Sequence, residues 1–422
     1  MRKLMPLLIA AYIISFVDRT NIGLAKEGLE ADLGISAAAF GLGAGAFFIA
    51  YAVCEVPSNL IMHRIGSRFW ITRIMLTWGL LSSAMALVQG EKSFYVLRVL
   101  LGVAEAGLFP GLLLYLTYWF TRRQRVAAMG LFLVAVPVAN IIGAPLGGAL
   151  LELDGVGGLA GWQWMFALEG LPAVVFAFVV WRYLPDGPHD AKWLTTAQAD
   201  RLVKRLAAEQ EAGTAESGTH SIAGVLKDKY IALAIAVYFC HQIAVYSLTY
   251  FLPTIVGTWG DLSSFQTGLV TALPWVFAAA GAVFLPRHAT TASRSRTILM
   301  AGLTAMTAGL VIAALAPPVV ALVGFCLTAS CFFVVQPIIF AVPASRLSGT
   351  TLAGGLALLN TLGILGGFVG PYVMGLLEDA TGDPLSGLWF VAALVAVGAL
   401  AGLFFPKSNA SVAATAQTGA LR

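Results

Sequence analysis

The chain has 422 residues, of which 59% are hydrophobic and 11% charged, with a formal net charge of +4 and a mean hydropathy of +0.85. An ordinary soluble domain carries about a quarter charged residues, so this composition excludes a soluble enzyme or a nucleic-acid-binding surface and points to a polytopic membrane protein. The four cysteines, Cys54, Cys240, Cys326 and Cys331, all lie in apolar segments without metal-ligand spacing, so neither a disulfide framework nor a metal site is expected.

A membrane helix needs about 20 apolar residues. Charge and turn clusters divide the chain into twelve segments of that size: 4–25, 38–60, 69–88, 93–119, 125–151, 163–184, 230–257, 265–286, 297–316, 318–344, 351–377 and 386–405. The start MRKLMPLLIAAYIIS imitates a secretory leader, but no small-residue cleavage site follows and eleven more spans do. It therefore reads as the first helix. Of the 25 Lys and Arg, 21 fall on one side of this arrangement, among them Arg2, Lys3, Arg64, Arg68, Arg73 and the seven between Arg182 and Lys229. Only Lys26 and Lys92 fall in the opposite loops. Basic residues mark the cytoplasmic side, so both termini are expected there.

The long polar stretch 185–229 separates two sets of six spans, giving an N-terminal bundle over 1–184, a linker, a C-terminal bundle over 230–406 and a tail over 407–422. Within the linker, Thr195 and Gln198 have the spacing of a helix capping box, and the polar run GTAESGTHS follows. The two halves repeat at an offset of 226 to 227 residues. PLGGALLELDG at Pro145 aligns with PYVMGLLEDATG at Pro371, Gly41-Leu42 with Gly268-Leu269, and Phe109-Pro110 with Gln336-Pro337. Parallel six-helix repeats of this kind predict an all-α fold of twelve transmembrane helices in two pseudo-symmetric bundles, as in the major facilitators.

Charges at membrane depth are costly and usually functional. In SFVDRTNIGLA, Asp18 lies roughly 20 Å along a helix that crosses a core of about 30 Å, and Arg19 follows it. The fourth span adds Arg98 and Glu105, two turns apart on one face, while Glu55 and Glu169 are expected nearer the ends of their spans. The second half has no acid or base at depth, so ion chemistry is expected in the first. Arg19 suits the anchoring of a carboxylate, because its guanidinium stays charged and binds in a bidentate fork. Asp18 and Glu105 suit proton coupling, since burial and a neighbouring Arg push a carboxyl in opposite directions. The alternative for each pair is a structural tie between helices, and for Arg98 the two readings are evenly matched. In YFCHQIAVYSLTY of the seventh span, His241, Gln242, Tyr246 and Tyr250 offer hydrogen bonds. His241 reads first as a helix–helix hydrogen bond and second as a substrate contact. Gln336, just before Pro337, is a further candidate, and Trp275 an apolar wall. No nucleophile–base set or phosphate loop is present, so neither an enzyme nor a cofactor is expected.

Several stretches also resemble a family. FVDRTNIGLAKEGLEADLGIS, EVPSNLIMHRIGSRFWITRI, RVLLGVAEAGLFPGLLLYLTYWF, WQWMFALEGLPAV and LGGFVGPYVMGLLEDATGD are similar to the anion:cation symporter family of the major facilitators, and most of all to its bacterial tartrate-type carboxylate transporters. The likeness departs at His63 and Asn59, where the superfamily usually has Asp and Gly. It implies a monomeric, proton-coupled importer of a small organic anion in the bacterial inner membrane, with Asp18, Arg19 and Glu105 in the roles above and Tyr51 and Asn360 lining the site. The expected substrate is a hydroxy-dicarboxylate such as tartrate or a sugar acid. An aromatic carboxylate is the alternative, and proton-coupled export a more distant one, suggested by GAPLGG at Gly143.

Overall fold

The computed structural model describes residues 3–214, 227–285, 292–347 and 349–405. The expected tail after 406, Arg287 and most of the run GTAESGTHS lie outside the described residues. Among those described, all regular structure is helical. In the first bundle α1 (Met5–Thr20) and α2 (Ile22–Leu33) form one crossing broken at Asn21. They are followed by α3 (Ala37–Ile65), α4 (Ser67–Ala84), α5 (Glu91–Glu105), α6 (Leu108–Thr117), α7 (Arg122–Leu151) and α8 (Gly161–Tyr183). Helix α9 (Thr196–Thr214) belongs to the connection. The second bundle comprises α10 (Lys229–Gly257), α11 (Ser264–Phe284), α12 (Ala292–Leu315), α13 (Pro318–Arg346), α14 (Gly349–Ile364), α15 (Gly366–Thr381) and α16 (Ser386–Gly402). Among the described residues, eleven crossings are long and apolar enough to span a membrane, and α16 is a shorter apolar helix.

Local chemistry sets the ends. Ser36 accepts a hydrogen bond from Ala39 N at 3.2 Å to start α3, Asp228 accepts from Tyr230 N at 2.9 Å to start α10, and the Thr195–Gln198 capping box forms as expected. Each supplies an acceptor to backbone donors that a first helical turn leaves free. The first crossing runs eight residues beyond the predicted end at Ala25, to Leu33, and closes on Gly34 at φ 65°. The charged run from Lys26 suggests a loop. It stays helical because Lys26 turns inward, is 1% exposed, and meets Glu378 of α15 at 2.6 Å.

The internal repeat becomes a physical interface. Gly41 of α3 packs on the Pro371 carbonyl of α15, and Gly268 of α11 packs on Ala144 and Pro145 of α7, so closely that neither has room for a Cβ. Residues that align with each other in the repeat therefore touch crosswise. Small residues allow such helix contact where the membrane offers no hydrophobic drive between helices. The acids that end the repeat behave in parallel. Glu152, just after α7, accepts from Ser263 Oγ at 2.6 Å and Phe265 N at 3.2 Å at the start of α11. Asp379 of α15 accepts from Ala37 N and Ala38 N, both at 3.0 Å, at the start of α3. A carboxylate at a helix N-terminus is favoured by its free N–H groups and dipole. With Lys26–Glu378, these contacts shut the bundles together on the face remote from the N-terminus. On the N-terminal face, α3 ends with His63 and Arg64 in its last turn. There Asp186 accepts from Arg68 N at 2.7 Å, and Arg68 Nε donates to Leu184 O at 2.5 Å.

Candidate functional site: a central cavity around Arg19

Between the bundles lies a cavity of ≈ 80 Å³ lined by residues of both, including Tyr12, Phe16 and Arg19 of α1, Tyr51 of α3, Gln242 and Tyr246 of α10, Gln336 of α13 and Asn360 of α14. Helical spacing explains the set. Tyr12, Phe16 and Arg19 share one face at i, i+4 and i+7, and Tyr238, Gln242, Val245, Tyr246 and Thr249 do the same on α10. Arg19 is the only charged side chain among these lining residues.

Arg19 sits at a helix break, two residues before Asn21 where α1 gives way to α2. Glu105 sits at another. It is the last residue of α5, followed by Ala106 in extended conformation and Gly107 at φ 90° before α6 begins. Ser58 Oγ donates to the freed Ala106 carbonyl at 2.7 Å and accepts from Trp70 Nε1 at 3.0 Å. Breaks of this kind are tolerated at membrane depth where neighbours satisfy the backbone. The two side chains meet as a buried ion pair through Arg19 Nη2 and Glu105 Oε1. The guanidinium carbon lies 4.8 Å from the Phe16 ring centre and 5.2 Å from those of Phe47 and Tyr51, an aromatic enclosure that favours a cation. Arg19 Nε has no hydrogen-bond partner. The cavity thus holds one cation whose donors are only partly used, beside an acid able to compete with an incoming anion for it.

The other expected residues divide. Tyr51, Gln242, Gln336 and Asn360 line the cavity. Gln336 Nε2 donates to Tyr238 OH at 3.3 Å, and Asn360 Nδ2 donates to Glu55 Oε1 at 3.1 Å across the bundle interface. Asp18 is not paired with Arg19. Successive helical residues point about 100° apart, and Asp18 faces α4, accepting from Trp78 Nε1 at 2.6 Å and Ser82 Oγ at 2.9 Å. Arg98 is buried outside the cavity lining. Its Nε and Nη2 donate to Gly43 O and Ala44 O, both at 3.3 Å, tying α5 to α3. His241 is also turned away from the cavity, between Phe332 O at 2.9 Å and Gln242 Oε1 at 3.0 Å. Glu55 and Glu169, expected nearer the span ends, are both buried. Sequence reasoning missed Tyr12, Phe16, Asn140 and Thr249. The first two repeat on the Arg19 face at helical spacing and were legible on that ground.

Residues 8–371 match the family model described as Major Facilitator Superfamily. A protein of Agrobacterium vitis named "Putative tartrate transporter" is 43% identical over 412 residues, which cover 96% of this chain and 90% of that protein. A protein of Acinetobacter baumannii named "Quinolone resistance transporter" is 41% identical over 398 residues, covering 94% and 91%. Among solved structures, a D-xylose-proton symporter superposes with a TM-score of 0.75 at 14% identity, over 96% of this chain and 98% of that one, a likeness of fold. The chain belongs to the major facilitator superfamily and is a multi-pass membrane transporter.

Proposed function

We propose that this protein is a proton-coupled symporter that imports a small hydroxylated organic anion, a hydroxy-dicarboxylate such as tartrate or a sugar acid, by alternating access. The observation that carries the reading is Arg19: the sole charged lining residue of the cavity, buried in aromatic rings and held by one acid. In the cycle, a proton taken by Glu105 loosens the ion pair and releases guanidinium donors to the substrate carboxylate, so proton and anion bind together. Asp18, on α1 but hydrogen-bonded to α4 away from the cavity, is the second proton-coupling candidate. Tyr51, Gln242, Gln336 and Asn360 supply the hydrogen bonds that several hydroxyls need, each modest in energy. Both termini face the cytoplasm of the inner membrane, as the distribution of Lys and Arg favours, and the monomer is the working unit. The relative named for tartrate transport supports the substrate class.

A second reading, proton-coupled export, is favoured by the relative named for quinolone resistance. The cavity of ≈ 80 Å³ is well below the roughly 300–1,000 Å³ of drug-sized sites, which supports the smaller cargo. Competition against labelled tartrate uptake in proteoliposomes by unlabelled tartrate, a hexonate, a hydroxyphenyl acid and a quinolone tests the choice. The proposal expects inhibition by the first two. Stronger inhibition by the aromatic acid than by unlabelled tartrate transfers the assignment to aromatic carboxylates, and stronger inhibition by the quinolone favours the exporter.

A further inference from the structure

A second, smaller chamber adjoins the central cavity. Its volume is ≈ 10 Å³ and it shares Thr20, Asn140, Thr249 and Trp275 with the larger space, adding Asn21 from the α1–α2 break and Thr271 from α11. No charged side chain lines it. Two of its polar groups are buried without a partner, Asn21 Nδ2 and Thr271 Oγ1, with Asn21 4% and Thr271 3% exposed. The Asn21 amide also approaches the Glu169 carboxyl, whose oxygens remain without a hydrogen bond. Leaving such groups buried and unpaired is costly, so a native structure that keeps two in one chamber invites a ligand group.

The remaining polar groups say what kind. Thr20 Oγ1 donates to Phe16 O at 2.8 Å, Thr249 Oγ1 to Val245 O at 2.6 Å and Asn140 Nδ2 to Val136 O at 3.0 Å. Each has spent a donor on its own helix and presents an acceptor oxygen, whereas Asn21 and Thr271 retain donors. A neutral chamber with both donors and acceptors suits a group that is itself donor and acceptor. Its volume is about that of one water molecule, and a hydroxyl fits the same space.

We infer that the Asn21–Asn140–Thr271 chamber is the subsite that receives a substrate hydroxyl while Arg19 holds the carboxylate, and that Thr271 is a specificity-determining residue. The inference rests on the proposed anion-import function and sharpens it: the transporter selects hydroxylated acids over their deoxy counterparts through this chamber. A site built to hydrogen-bond a hydroxyl rejects the analogue lacking it, because its own polar groups are then left unpaired.

Tartrate and succinate differ only in two hydroxyls and provide the probe. Uptake of each into proteoliposomes is measured for the wild type, Thr271→Val, which removes the hydroxyl at constant shape, and Thr271→Ser, which restores it. The wild type is expected to prefer tartrate, Thr271→Val to lower that preference about tenfold by raising KM for tartrate with succinate unchanged, and Thr271→Ser to recover it. A preference within twofold of wild type in Thr271→Val, or an equal loss for both acids, overturns the subsite. Failure of the wild type to transport any hydroxylated acid instead overturns the proposed substrate class, and the two failures are distinct.

Discussion

Glu378→Gln offers a test of what closes the face remote from the N-terminus. Lys26 is almost wholly enclosed, 1% exposed, and its ammonium meets Glu378 at 2.6 Å across the bundles, with the exposed Glu30 at 3.8 Å as a weaker partner. Removing one member of a buried ion pair costs about 3–5 kcal/mol, because the other charge stays buried and uncompensated. Glu30 offsets part of this, so the lower figure of about 3 kcal/mol applies. The penalty falls only on the shut arrangement, since parting the bundles hydrates Lys26. At about 1.4 kcal/mol per tenfold, the ratio of shut to open molecules should fall by roughly 100-fold. Spin labels at Val156, between α7 and α8, and at Leu262, before α11, report the separation of the bundles on that face; both sites are exposed. Double electron–electron resonance should show a short distance in the wild type and a longer population in Glu378→Gln. The double substitution Lys26→Met with Glu378→Gln, which leaves no charge unpaired, should return most of the short distance. Identical distributions in wild type and Glu378→Gln would show that the Lys26–Glu378 pair does not hold this face shut, as would a double variant at least as open as the single one.

Further outcomes follow from the same geometry. Arg19→Lys should weaken tartrate binding at least tenfold in a thermal-shift titration, since an ammonium cannot reproduce the guanidinium fork; unchanged affinity removes Arg19 as the anchor. Glu105→Gln should lose proton-driven accumulation yet retain counterflow exchange of substrate, and accumulation that persists assigns the coupled proton to Asp18. The Ser263 hydroxyl and then the Phe265 N–H hold the Glu152 carboxyl below its usual 4.5. A lowered value in the folded state means this contact stabilises the shut face in full above that pH and loses its contribution as pH falls through the lowered value. The Val156–Leu262 distance should therefore be constant from pH 8 to pH 5 and lengthen only in more acid solution, while Glu152→Gln should remove that acid transition; an unchanged transition in the variant assigns it to another group.

The fold was legible because membrane crossing demands apolar length, and length survives even where helix ends are misjudged. The error at Lys26 is instructive. The charged run from Lys26 reads as a loop, but its partner at Glu378 lies 352 residues away, and pairing across such a separation leaves no local trace. The repeat was more informative than its short matches suggested, because Gly41, Pro145, Gly268 and Pro371 are the very positions where the bundles touch. Within the site, Arg19 and Glu105 stand out in the sequence as charges at depth, but the sequence pairs Asp18 with Arg19 and Arg98 with Glu105, whereas the structure pairs Arg19 with Glu105. Asp18 could have been separated from Arg19 by helical geometry alone. Arg98 and His241 could not be placed in advance, since a backbone carbonyl of a neighbouring helix satisfies either as well as a substrate does, and sequence does not reveal which carbonyls are near. Thr271 is an ordinary residue in an apolar span; only the chamber it faces gives it meaning.

In the proposed cycle a proton gradient drives a carboxylate held by Arg19 into the cell. The decisive measurement is uptake of radiolabelled tartrate into proteoliposomes with and without an inward proton gradient. Transient accumulation above the external concentration is expected when the gradient is imposed, abolished by a protonophore and absent in Arg19→Lys. Equal uptake with and without the gradient, or proton-driven expulsion of the label, would contradict that cycle.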